Sequence, residues 1–316
     1  MLSFGYTTSL SELREDTFFQ HLPLVQFTLN GRMSFFKRIQ SIGLHLPILL
    51  LKEGPDIIIH YDFVHLPTKY LMFTPSIRQQ IIRELVQIQQ SVPNQEIRKS
   101  NLLGIVLHAD KPFPKYVSLP LSEDYIEDHY RSSIWDKQSI REHQEHIYDD
   151  SLLAFYEDYT QALRAANVLN PVRLYLENTT KVGPHGEGSL GYLVDFLHRN
   201  PLLQTIFGIC YDTEHHFAYE GELVSTSRLS SLANDFSLMV HLNAIPPEVK
   251  PCSCLDRHSI TTLFACSQAS PDYYLNIAKW CDDNYVPVIR EIHTDTIKSE
   301  FSQLQALGYS FTKHHV

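Results

Sequence analysis

Short apolar runs alternate with helix-patterned segments along this chain about eight times, and that rhythm restricts the fold more than any other feature of the sequence. The clearest runs are Asp56 to Val64 (DIIIHYDFV), Leu102 to Ala109 (LLGIVLHA), Val172 to Thr179 (VRLYLENT), Ile206 to Thr213, Ser237 to Asn243 and Val286 to Ile292. Ser3 to Thr7 and Pro23 to Leu29 are weaker candidates ahead of them. Runs of this length, bounded by polar residues, read as strands buried on both faces. The intervening segments carry helical spacing, as in Pro75 to Gln90 with Ile77, Ile81, Ile82, Leu85 and Ile88 on one face. Further helices are expected at Met33 to Ser41, Ser151 to Asn167, Leu190 to His198, Arg228 to Asn234, Tyr273 to Asp283 and Thr296 to Leu307. Strand then helix, repeated, means parallel strands joined by helical crossovers.

A doubly wound sheet and a closed barrel share this pattern. The barrel is favoured by where the polar residues fall, because runs three to eight all finish in or beside His, Asp or Glu. In a (β/α)8 barrel those ends converge on one mouth. In an open sheet they would be strung along an edge, with ligands gathered near one switch point. The expected architecture is therefore α/β, a single (β/α)8 TIM-barrel domain over residues 1–316. It carries an insertion after the fourth strand at about 110–150, where Pro112, Pro114, Pro120 and many charges break the rhythm.

Composition narrows the setting. Hydrophobic residues make up 43% of the 316, enough for a sizeable core and against disorder. A net charge of −10 argues against a general nucleic-acid coat, although bound metal can dominate a local field. The five cysteines have no framework spacing, which points to a reducing compartment. Met1 to Glu12 lacks a signal pattern, and the longest apolar run, Leu46 to Leu51, is too short to span a bilayer. The expectation is a soluble, intracellular monomer, in the cytoplasm or nucleus, with no membrane partner. No GxxxxGK[ST] phosphate loop is present.

The site is read from Phe207 to Gly221, FGICYDTEHHFAYEG, where Asp212 and His215 stand three apart at the end of a strand. Carboxylate and imidazole are borderline-metal ligands. Alone, such a pair is more often a capped turn. It gains weight from His60, His108, Glu177, His241, Asp256, His258 and Glu291, at or near the other strand ends. Asp256 and His258 are two apart, which puts both side chains on one side of an extended backbone. These five imidazoles and four carboxylates exceed what one tetrahedral zinc needs. They suit two or three divalent ions sharing a bridging carboxylate, with a net positive pit for an anionic substrate, above all a phosphodiester. Ions about 3.5–4 Å apart can stabilise attacking and leaving oxygens together. Cys252 and Cys254 are read as buried or loop thiols, and His65, His185, His216, His293, His314 and His315 as surface or loop residues.

The pieces IIIHYDF, IVLHAD, LYLENTT, GICYDTEHHFAYEG, VHLN, LDRH and REIHT occur in the order seen in endonuclease IV, and the chain resembles that zinc-dependent apurinic/apyrimidinic endonuclease family from Asp56 to Glu291. The resemblance implies three Zn2+ per chain, with Mn2+ a partial substitute. Glu177 would join His60 and His108 at a first ion and bridge to a second held also by Asp212, His241 and Glu291. His215, Asp256 and His258 would hold a third. It implies base-excision repair of double-stranded DNA by hydrolysis of the phosphodiester 5′ to abasic sites. Glu177 and Glu291 would be catalytic, and Arg257, Lys181 and Phe63 would contact DNA. The chain departs from the family at Ala244, where an acid is usual, and at Ile292 and His293, where Thr-Pro is usual. Two alternatives stay open: a sugar isomerase or epimerase on the same barrel with one ion, and a damage-binding protein with a decayed site.

Overall fold

The computed structural model describes residues 4–8, 16–29, 55–61, 75–91, 101–108, 144–179, 186, 188–247, 262–264, 268–292 and 294–309. In chain order the elements are β1 (Phe4–Thr8), α1 (Thr17–Gln20), β2 (Leu24–Leu29), β3 (Asp56–Tyr61), α2 (Pro75–Ser91), β4 (Leu102–His108), α3 (Gln144–Ala165) and β5 (Leu174–Glu177). There follow α4 (Leu190–Arg199), a 3-10 turn (Pro201–Thr205), β6 (Phe207–Asp212), α5 (Thr213–Glu220), α6 (Thr226–Asp235), β7 (Leu238–His241), α7 (Pro271–Asp283), β8 (Val288–Arg290) and α8 (Thr294–Ala306). Every strand pairs in parallel with its sequence neighbour, and β1 closes on β8. The result is the expected (β/α)8 barrel. Among the described residues no helix is long and apolar enough to cross a membrane.

Two apolar cores follow from the period-two alternation of strands. Outward residues such as Val25, Ile57, Ile59, Ile105, Leu174, Leu176, Ile209 and Val240 pack with the helices into one large core. Inward residues Leu24, Ile58, Val106, Tyr175, Cys210, Met239 and Ile289 fill the barrel as a second, smaller one. Both faces are covered, which is why the strands read as continuous apolar runs. Glycine is needed where Tyr175 lies across the interior. A Cβ on Gly104 would stand 2.4 Å from the tyrosine ring, and one on Gly208 would stand 2.6 Å from the Ser237 carbonyl oxygen and 2.9 Å from the ring.

Helix starts are capped as the sequence allows. Ser189, Ser225 and Ser270 each accept a backbone N–H from the first turn of α4, α6 and α7, and Asp212 does so for α5. Gly221 ends α5 in the left-handed conformation, with φ 77°.

Two local expectations need correction and a third is extended. Helix α3 begins at Gln144, inside the stretch read as insertion, because the polar residues of QEHIYDD hide its first turns from a search for apolar periodicity. Asp149 in that stretch is an anchor: it accepts from Tyr192 Oη at 2.6 Å and pairs with Arg199 at 3.1 Å. The capped turn at Asp212 is the start of a longer element, the two-turn helix α5. His216 is not a surface or loop residue: it lies on α5, 7% exposed, against the ring of Tyr211. Its burial, with Arg228 nearby, pushes its pKa down to about 4. The proposed helix at Met33 to Ser41 and the rest of the insertion, 109–143, lie outside the described residues.

The glycine packing has a measurable consequence. Gly208→Ala should lower stability by about 1–3 kcal/mol in urea denaturation, because both the ring and a strand backbone block the added methyl. Gly191→Ala on α4 meets nothing within 4 Å and should leave stability unchanged or raise it by up to about 1 kcal/mol.

Candidate metal centre

Six consecutive strands deliver ligand-type side chains to one end of the barrel. His60 is the next-to-last residue of β3, His108 ends β4, Glu177 ends β5, Asp212 ends β6, His241 ends β7, and Glu291 follows β8 directly. His215 joins them from the first turn of α5, placed there because Asp212 Oδ1 accepts its backbone N–H at 2.7 Å. Glu177, Asp212 and His241 are fully buried, and His60 and His215 nearly so.

Glu177 is the hub. Its Oε2 lies 3.1 Å from His60 Nε2 and 3.6 Å from His108 Nε2. Its Oε1 lies 3.0 Å from His241 Nδ1 and 3.5 Å from His215 Nδ1. His241 Nδ1 also faces Glu291 Oε2 at 3.2 Å and Asp212 Oδ2 at 4.0 Å. The His60 and His108 rings are 4.8 Å apart.

The electrostatics follow from this packing. Burial opposes ionisation of Glu177, but the charges of His241 and His108 and hydrogen bonds from His241 and His60 outweigh it and hold the carboxyl well below the usual range. Glu291 is lowered likewise against its burial, chiefly by His241. Burial would keep His241 neutral; the carboxylates of Glu291 and Glu177 around it outweigh that and raise its pKa well above the ordinary imidazole value. Such imidazolium–carboxylate pairs give up protons when a divalent ion takes their place.

The residues fit such an ion. Three sets of described donors gather within 4.8 Å: His60, His108 and Glu177; Glu177, Asp212, His241 and Glu291; and His60, His241 and Glu291. A tetrahedral ion with bonds of about 2.05 Å needs its donors about 3.3 Å apart, and the nitrogen–oxygen separations around Glu177, 3.0 to 3.6 Å, bracket that value. Nitrogen and carboxylate oxygen together suit zinc or another borderline divalent metal.

Of the nine ligands read from the sequence, seven are therefore described and meet at one mouth, although His215 belongs to none of the three sets. Asp256 and His258, and the DNA-contact candidates Arg257, Lys181 and Phe63, lie outside the described residues. Two departures from the resembled family are accounted for by packing: Ala244 and Ile292 are both buried in the barrel–helix core, where an acid at 244 would lack water.

No protein-family model matches this sequence, and no curated protein matches it. Solved structures do. The chain is similar to 3-keto-D-glucoside 4-epimerase from E. coli, with a TM-score of 0.56 and 12% identity over 98% of this chain and 99% of that one. It is similar to endonuclease IV from Thermus thermophilus, with a TM-score of 0.52 and 15% identity over 96% and 98%. It is also similar to AP endonuclease, family 2, from Brucella melitensis, with a TM-score of 0.50 and 11% identity over 97% and 99%. At these identities the likeness shows the barrel fold and leaves the reaction open.

Sequence reading missed the residues that hold the ligands in place. Asn243, just beyond the end of β7, donates to Asp212 Oδ2 at 2.6 Å and Glu291 Oε2 at 3.3 Å, while its Oδ1 accepts from the Glu291 N–H at 3.1 Å. Asn178 exchanges hydrogen bonds with the Asp212 backbone, and its carbonyl faces His215 Nδ1 at 2.8 Å. Behind Asn243 stands Arg290, fully buried, bonded through Nη1 to Leu242 O and Asn243 Oδ1. Two parallel bonds of 2.8 and 2.9 Å join it to Glu300 on α8. The letters LEN and HLN contain two of these residues; nothing in the apolar run VPVIRE announces a buried arginine.

That pair can be tested by stability. Arg290→Met leaves a buried Glu300 without its cation and should cost about 3–5 kcal/mol in urea denaturation. Adding Glu300→Leu should recover a measurable part of the loss, since the uncompensated charge is then gone.

Proposed function

We propose that the chain is a metal-dependent endonuclease that hydrolyses the phosphodiester 5′ to abasic sites in duplex DNA. The observation that carries this reading is the position of Glu177, which belongs both to the His60–His108 set and to the Asp212–His241–Glu291 set. A carboxylate shared between two donor sets is what a cluster of ions requires, and a single ion held by Glu177, Asp212, His241 and Glu291 leaves His60 and His108 outside its donors. The motifs from IIIHYDF to REIHT supply the specific link to abasic-site chemistry.

Bound divalent ions would supply Lewis acidity, stabilising charge on both the attacking and the leaving oxygen. The chain's own residues supply the rest. Glu177 holds two donor sets in one geometry, and Glu291, Asp212 and His241 complete the second. Asn243 keeps Asp212 and Glu291 from turning away, by the bonds it makes to both carboxylates. His215, Asp256 and His258 are proposed as the third set. Arg257 is proposed at a backbone phosphate, with Lys181 and Phe63 along the DNA path. An abasic nucleotide has no base to unstack or unpair, so extruding it towards a recessed site is cheap.

A second reading is favoured by one feature. Glu177, Asp212, His241 and Glu291 could serve a single ion without help, as an epimerase on this barrel would require. Ion counting separates the two. Elemental analysis of purified protein should give between two and three ions per chain for the nuclease and close to one for the epimerase. Chelation should abolish incision of a duplex containing tetrahydrofuran, and zinc should restore it.

Glu177→Gln should lower that incision by more than about a hundredfold, beyond the loss expected from an outer hydrogen-bond partner, while DNA binding in a gel-shift assay stays close to wild type. Near-normal turnover in this variant would sink the role given to Glu177.

A further inference from the structure

Strand β2 contributes none of the nine ligands, yet it places one fully buried amide at the mouth of the barrel, Gln26. A buried polar side chain in an apolar strand must find partners or cost stability. Gln26 finds them in the metal centre. Its Nε2 donates to Glu291 Oε1 at 2.7 Å and to Thr7 Oγ1 at 3.3 Å. Its Oε1 lies 3.0 Å from His241 Nε2.

These contacts fix which way the amide points. Reversed, it would set its carbonyl against Glu291 Oε1, acceptor against acceptor, and would turn its NH2 towards the imidazole. With Glu291 on the NH2 side, the carbonyl must face His241 and accept a proton from Nε2. A neutral imidazole carries one proton. Holding it on Nε2 leaves the Nδ1 lone pair directed at Glu177, Glu291 and Asp212, the three carboxylates 3.0, 3.2 and 4.0 Å away. The same amide occupies one oxygen of Glu291 and leaves the other, Oε2, facing His241 Nδ1.

We infer that Gln26 is a positioning residue of the centre: it selects the His241 tautomer that ligates through Nδ1 and orients Glu291 beside it. This rests on the metal-centre reading of the site. Gln26 touches no reacting atom in this role. It acts through His241 and Glu291, and as an uncharged group it does so without altering the charge of the ligand set. Outer partners of this kind change metal affinity by about 10–100-fold when removed. The sequence did hold a signal, a lone glutamine in PLVQFTL at a position whose alternation points it into the barrel.

The test measures binding directly. Zinc affinity is determined by competition with a chromogenic chelator for the wild type, Gln26→Leu and Gln26→Glu, and the His241 ring nitrogens are read by 15N NMR in the zinc-loaded chains. Gln26→Leu keeps the volume and removes both partners; one bound zinc should weaken by about 10–100-fold, and the His241 signals should lose the Nε2–H pattern. Gln26→Glu keeps an acceptor for Nε2–H and should keep that pattern, which a purely space-filling role would not explain. Should the leucine variant fail to fold, Gln26→Ser, too short to reach either partner, serves the same comparison. Wild-type affinity together with an unchanged tautomer in the leucine or serine variant would overturn the role of Gln26 alone. A wild-type chain that binds no ion would overturn the metal-centre reading with it.

Discussion

Glu177 has no exposed surface, and the imidazoles of His60, His108 and His241 are what allow it to stay ionised there. An isolated carboxylate in such a place would neutralise itself, because transfer of an unpaired charge out of water costs more than holding a proton. His60, His108 and His241 come from three different strands, so the charge is compensated only when β3, β4 and β7 are all in place. The centre is thus a product of barrel closure. In exchange, each imidazole is held near a carboxylate oxygen at roughly the spacing an ion would ask for, and little rearrangement is needed to receive one.

The polar mouth is supported by its apolar surroundings. Directly beneath it lie Cys210, Met239, Val106 and Ile289, each fully buried, on the same strands as the ligands or next to them. Burial pushes the Cys210 thiol up to about 12, so it packs as a small apolar group. Around the outside, Arg290 and Glu300 tie β8 to α8, and Glu300 also accepts the Leu263 N–H. The ligand set is therefore braced from inside the barrel by packing and from outside by one bidentate ion pair.

The legible part of this structure was the part carried by period and position. Eight runs, six of them with polar ends, implied the barrel, and six of the seven described candidate ligands fell at those ends because a parallel strand can present chemistry only where its apolar run stops, with His215 one helical turn beyond. Boundaries were less legible. The observed β8 is Val288–Arg290 and not Val286 to Ile292, since the apolar pattern continues past the last ladder hydrogen bond. The polar first turns of α3 hide its start, and the polar residues of DTEHH show a capped turn at Asp212 without showing that the turn continues as α5. Asn243, Arg290 and Gln26 were missed for a common reason: their value lies mainly in partners distant along the chain, and no local spacing records that.

Tyr175 lies across the barrel between Gly104 and Gly208, with its hydroxyl 3.2 Å from Ser237 Oγ. The three positions form one unit of volume spread over three strands, and they cannot vary independently. A related barrel with alanine or larger at either glycine must carry a smaller residue in place of the tyrosine, and one that keeps the tyrosine must keep both glycines. Pairwise exchange among these sites across relatives is the evolutionary trace this packing leaves, and it would mark descent of the barrel interior separately from descent of the chemistry at its mouth.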